Sequence, residues 1–194
     1  MRNRLLALSA ALLVANGAWA AVITYEAALS GASEVPATGS TGTGFAEVIV
    51  DTTANTMDVI VSFSGLTGTS TASHIHCCTA VPGAGNAGVA TTTPTFPGFP
   101  LGVIAGSYNN TFDLTQASSY NPAFVTAEGG STAAAEAALL AGMAADETYL
   151  NIHSTVFPGG EISGYLVAVP EPGTAAAIAG ALLMLLGLKR GAKA

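Results

Sequence analysis

From residue 57 to residue 63, Met57, Val59, Val61 and Phe63 are apolar while Asp58 and Ser62 between them are polar. Side chains of a strand point to opposite faces in turn, so this spacing specifies a strand with one face buried and the other in water. Upstream, Gly44 to Val50 sets Ala46, Val48 and Val50 against Glu47, and Asp51 to Asn55 reads as the hairpin loop that joins the two runs. Val22 to Leu29, Ser73 to Cys77, Gly106 to Leu114, Thr148 to Thr155 and Glu161 to Val167 are further short β-rich runs between connections of Thr, Ser, Gly and Ala. About seven short strands with polar turns predict an all-β chain, an antiparallel β-sandwich or barrel. One helix interrupts them: Thr132 to Met143 is nearly all Ala, Leu and Glu, with Ser131 or Thr132 as N-cap and Gly142 near its end, and is expected as a crossover at the sandwich edge. Residues 79 to 105 are too rich in Pro and Gly for a regular element and read as an exposed insertion or binding loop.

Charge excludes several functions. All five basic residues, Arg2, Arg4, Lys189, Arg190 and Lys193, lie at the chain ends, and residues 21 to 170 hold eleven of the twelve carboxylates, a formal charge of 0 − 11 = −11. Such a body repels phosphate backbones and has no Lys or Arg to clamp a phosphate ester, which argues against nucleic-acid binding and Arg-dependent phosphoryl transfer. Gly83-Ala84-Gly85-Asn86-Ala87-Gly88 fits the spacing of a dinucleotide loop, but Val89 to Pro94 after it cannot open the helix that would meet a pyrophosphate. Glu128, Glu136, Asp146 and Glu147 lie in or near the expected helix and read as its solvated face.

The ends carry address signals. Arg2 and Arg4, the apolar run Leu5 to Ala15 and Ala18-Trp19-Ala20 form a secretory signal peptide over residues 1 to 20, read by the Sec export machinery and cut by signal peptidase after Ala20. At the other end, Pro170-Glu171-Pro172, the apolar run Gly173 to Leu188 and the terminal Lys189, Arg190 and Lys193 resemble the PEP-CTERM sorting signal of Gram-negative bacteria. That resemblance implies an exosortase as partner, and residues 169 to 194 as the signal. Sixteen apolar residues rise ~24 Å as a helix, short of a ~30 Å bilayer core, and the basic tail would hold that end in the cytoplasm, so a transient inner-membrane anchor is expected.

Between the signals, residues 21 to 168 form the expected domain, and its chemistry is concentrated in five residues. His74 and His76 flank Ile75 and so share a strand face; in Tyr149 to Ser154, Leu150 and Ile152 take one face, Asn151 and His153 the other. If the two segments are neighbours with their isoleucines in the core, His74, His76 and His153 share a face, where three imidazoles would suit zinc or copper with water or a carboxylate such as Glu161 in the fourth position. Without a metal, they would tie the sheet to its loops by hydrogen bonds. Cys77 and Cys78, the only cysteines, leave three arrangements open: a vicinal disulfide, intermolecular bridges, or thiolate ligands beside His76.

Ser73-His74-Ile75-His76, followed by Asn151-Ile152-His153 and Phe157-Pro158-Gly159-Gly160-Glu161-Ile162-Ser163-Gly164, resembles the CHRD domain, a family named from chordin and found in many bacterial secreted proteins. Gly31 to Pro36 is similar to the family's opening segment, and the resemblance spans about residues 22 to 168. It implies an immunoglobulin-like or superoxide-dismutase-like β-sandwich with no established catalytic residues. Dismutase activity is not expected, because three histidines are too few for a dinuclear copper-zinc site and the body has no Arg to guide superoxide. The Cys77-Cys78 pair and the lack of a basic residue in Glu161 to Gly164 depart from the family pattern. The expectation is therefore an exported, non-enzymatic cell-surface or extracellular-matrix protein, sorted by an exosortase and held among exopolysaccharide or other matrix components. The alternative is a periplasmic or extracellular copper- or zinc-binding protein, with or without redox chemistry, built on the three histidines.

Overall fold

The structure is a computed structural model that describes residues 22 to 170. The expected signal peptide, residues 1 to 20, and all but the first residue of Pro170-Glu171-Pro172 in the expected sorting signal lie outside the described residues. Eight strands form one antiparallel, curled sheet: β1 (Val22–Ser30), β2 (Thr43–Asp51), β3 (Thr56–Ser64), β4 (Ser70–His76), β5 (Gly106–Asp113), β6 (Tyr149–Ser154), β7 (Ile162–Tyr165) and β8 (Val167–Ala168). Their spatial order is β4-β6-β7-β1-β2-β3-β5, with β8 paired beside β1. Two helices, α1 (Pro122–Ala127) and α2 (Thr132–Ala144), lie between β5 and β6. No helix among the described residues is long and apolar enough to cross a membrane.

The alternating pattern explains the sheet. Met57, Val59, Val61 and Phe63 of β3 are buried, as are Ala46, Val48 and Val50 of β2 and Tyr25, Ala27 and Leu29 of β1. β2 and β3 pair in register from Thr43 opposite Ser64 to Asp51 opposite Thr56, so these rows fall on one face. The hairpin between them is fixed by Asp51, whose carboxylate accepts from the Thr53 N–H at 2.8 Å and the Ala54 N–H at 2.9 Å. Ile75, Leu150, Ile152, Ile162 and Leu166 join the same core from the other half of the sheet.

Two expectations are corrected. There are two helices rather than one, because Asn121 caps α1 by accepting from the Ala123 N–H at 3.0 Å, with Pro122 in the first turn. Ser131 caps α2 in the same manner, accepting from the Ala134 N–H. The segment from 79 to 105 has no long strand, but it is not simply exposed. Phe96 is completely buried, its ring 5.7 Å from Tyr108 and 5.4 Å from Phe112, and Ala90, Thr91 and Phe99 are buried with it. Three aromatic and aliphatic anchors pin this Gly- and Pro-rich loop over the β4 edge, and its carbonyls thereby reach the histidines.

Candidate metal centre

β4 and β6 are neighbours, paired with His74 opposite Asn151, His76 opposite Tyr149 and Ala72 opposite His153. Cross-strand partners project to the same side, so His74, His76, Tyr149, Asn151 and His153 share one face while Ile75, Leu150 and Ile152 fill the core behind them. The sequence-based expectation of a common histidine face is met. One ring nitrogen from each of the three histidines lies within 4.8 Å of the others, so they could hold a metal ion. The imidazole centroids are 5.2 Å apart for His74 and His153, 5.9 Å for His74 and His76, and 6.3 Å for His76 and His153.

Each imidazole is oriented by a backbone carbonyl. His74 Nε2 lies 2.7 Å from the Pro94 carbonyl, His76 Nδ1 2.9 Å from that of Ala87, and His153 Nδ1 2.8 Å from that of Pro158. A carbonyl only accepts, so the nitrogen facing it carries the hydrogen and the opposite nitrogen keeps its lone pair. The lone pairs therefore sit on His74 Nδ1, His76 Nε2 and His153 Nε2. Ligating histidines characteristically donate their other N–H in this way. His74 Nδ1 and His153 Nε2 are buried and have no hydrogen-bond partner. Buried polar atoms without partners are rare, and these two carry lone pairs that a metal ion could use.

The electrostatics keep the rings neutral. Desolvation pushes His74 down to about 4, assisted by the neighbouring His153 and His76 against the opposing Pro94 contact. Burial lowers His76 and His153 in the same direction. His76 is further fixed by Tyr149, whose ring stacks on it at 4.6 Å and 8°, and whose hydroxyl meets the Ala87 carbonyl at 3.3 Å. Asn151, 2% exposed, presents Oδ1 at 3.1 Å from His76 Nε2.

Two proposed ligand types are corrected. Glu161 does not face the histidines: its buried carboxylate accepts from the N–H groups of Thr67 and Gly68 and from the Ser40 hydroxyl at 2.6 Å, clamping the turn before β4 to the start of β2. Burial pushes this carboxyl up, but hydrogen bonds from Ser154, Ser40, Thr67 and Gly68 outweigh it and hold the group below its usual range. Cys77 and Cys78 are joined in a vicinal disulfide, so neither is a thiolate ligand. Cys77 is buried in the core cluster with Ile75, on the face away from the imidazoles, and both sulfurs rest against Gly142 of α2, where an added Cβ would lie 2.5 Å from Cys78 Sγ and 2.6 Å from Cys77 Sγ.

A partly buried carboxylate, Glu34, lies on the histidine side of the sheet. It is hydrogen-bonded by Ser163, which pairs with Asn151 across β6 and β7, and its Oε1 is buried without a partner. Room for it exists because residue 160 is glycine at φ 133°; a Cβ there would come within 2.7 Å of both carboxylate oxygens. Burial raises Glu34 to about 7, partly offset by the Ser163 hydroxyl. Sequence periodicity places Asn151 on the His153 face, and the structure adds its contact with His76. It gives no signal for Glu34, whose position depends on how the segment after β1 folds back.

Gly83 to Gly88 is loop, with the Asn86 amide donating to the Val35 carbonyl at 2.7 Å and Ala87 held at His76, and no helix follows it. No curated protein and no solved structure matches the chain. Residues 25 to 166 match the family model of the CHRD domain. With that match spanning 142 residues (166 − 25 + 1) of the 194, the chain belongs to the CHRD domain family.

Proposed function

We propose that this protein is an exported, non-enzymatic β-domain that binds one zinc or copper ion through His74, His76 and His153. The observation that carries the metal reading is the pair of buried, partnerless nitrogens, His74 Nδ1 and His153 Nε2, in a cluster where every histidine has its other nitrogen on a carbonyl. Three neutral imidazoles suit a borderline divalent ion, and bonds of ~2.0–2.1 Å would draw the three nitrogens together to roughly 3.4 Å for tetrahedral geometry. An acidic body without Lys or Arg favours the approach of cations.

The chain's terminal segments support the setting. A signal peptide would deliver the domain to signal peptidase outside the cytoplasm, and the PEP-CTERM-like tail would anchor it briefly in the inner membrane before an exosortase sorts it to the cell surface or matrix. We read its framework, a curled antiparallel sheet, as a sandwich of the immunoglobulin or superoxide-dismutase kind. The test is metal content of the exported protein, purified without chelator. The account expects about one zinc or copper per chain, lost in His74→Ala, His153→Ala; equal metal in wild type and double variant overturns it.

A further inference from the structure

We infer that the amide oxygen of Asn151 is the fourth protein ligand of the metal, which closes the site against exogenous ligands. This rests on the metal-binding reading above. Both ring nitrogens of His76 face oxygen: Nδ1 is 2.9 Å from the Ala87 carbonyl and Nε2 is 3.1 Å from Asn151 Oδ1. A neutral imidazole has one N–H to give. The Ala87 carbonyl is the nearer acceptor and takes that hydrogen, and the Nε2 lone pair then confronts the lone pairs of an amide oxygen. Two acceptors at 3.1 Å repel each other unless a cation lies between them.

The separation suits a shared ion. Two bonds of ~2.1 Å meeting at an angle between a right angle and the tetrahedral value span about 3.0–3.4 Å. Asn151 stands opposite His74 in the β4–β6 ladder and two residues before His153 on the same strand face. The amide oxygen thus enters the cluster from the strand that also supplies His153. The four donors are His74 Nδ1, His76 Nε2, His153 Nε2 and Asn151 Oδ1, two residues from each strand, and two of these atoms are buried without partners. Closed sites with four protein ligands are structural, whereas catalytic sites leave one position to water or substrate. A set of three imidazoles and a hard carbonyl oxygen selects Zn(II) or Cu(II) over Cu(I).

The competing arrangement turns the Asn151 amide so that its NH2 donates to His76 Nε2. Asn151 would then be a hydrogen-bond tie, and the fourth position would belong to water. Cobalt(II), a spectroscopically visible substitute for zinc, separates the two. Added to metal-free wild-type protein, it should give the strong visible absorption of a four-coordinate ion, unchanged by excess azide. Asn151→Ala should bind cobalt at least about tenfold more weakly, and azide should alter its spectrum by occupying the vacated position. Asn151→Asp, which keeps an oxygen donor and adds charge, should bind more tightly than wild type and remain inert to azide. Azide-dependent spectra in the wild type, or unchanged affinity and azide response in Asn151→Ala, overturn the inference while leaving the three-histidine site intact. Wild type that takes up no cobalt, zinc or copper refutes the metal reading and this inference with it.

Discussion

Replacing Glu34 with Gln should change how stability depends on pH. Glu34 Oε1 is buried without a partner, and its carboxyl rises from the ordinary 4.5 to about 7, chiefly through desolvation. At ~1.4 kcal/mol per tenfold, that rise corresponds to about 3.4 kcal/mol for a fully enclosed group. Glu34 is only partly buried, so solvent screening reduces the expected effect to roughly 1–2 kcal/mol. Its sign follows from linkage: a carboxyl whose folded pKa is raised contributes stability that is fully present below the unfolded value of 4.5 and is lost as pH rises through about 7. Urea unfolding of wild type and Glu34→Gln at pH 4.5 and at pH 8 measures this directly. The neutral amide lacks the loss, so the variant should gain about 1–2 kcal/mol on wild type between the two conditions. An identical pH dependence in both proteins would show instead that the carboxylate is well solvated and that burial does not raise it.

Glu161 should behave in the opposite sense: Glu161→Gln should cost about 1.5–3 kcal/mol at pH 7, because charge-assisted bonds to Thr67, Gly68 and Ser40 weaken. Since its folded carboxyl is lowered, wild type should lose that advantage as pH falls through the lowered value, which denaturant midpoints at neutral and acid pH would reveal. Gly142→Ala should destabilise by about 1–3 kcal/mol, because its Cβ would meet both sulfurs of the disulfide; thermal unfolding checks it. Ile75→Ala, at a completely buried position behind the histidines, should cost about 2–5 kcal/mol in the same assay.

The strands were legible because their signal is local. Alternation at Met57 to Phe63 and around Ala46, Val48 and Val50 states which face is buried, and the Asp51 turn joins the two runs. The histidine face was legible for the same reason, since Ile75 and Ile152 had to enter the core and the imidazoles therefore project from the opposite face. What a strand face leaves undetermined is everything that covers it. The carbonyls of Pro94 and Ala87 come from a loop held down by Phe96 and Phe99, buried aromatics among breakers that carry no periodicity. Glu161 illustrates the complementary failure. It precedes β7 rather than lying in it, so strand alternation does not govern its direction, and the N–H groups at Thr67 and Gly68 capture its carboxylate instead. Glu34 reaches Ser163 on the histidine side of the sheet through a chain reversal that no residue spacing encodes.

The proposed metal ion would sit between three imidazoles from two adjacent strands. Diffraction from crystals of the protein, recorded on either side of the zinc and copper absorption edges, would locate such an ion without assumption about its ligands. The account predicts one anomalous peak per chain, about 2.0–2.1 Å from His74 Nδ1, His76 Nε2 and His153 Nε2. No peak there in crystals soaked with either metal, with ordered water bridging those nitrogens instead, would contradict it.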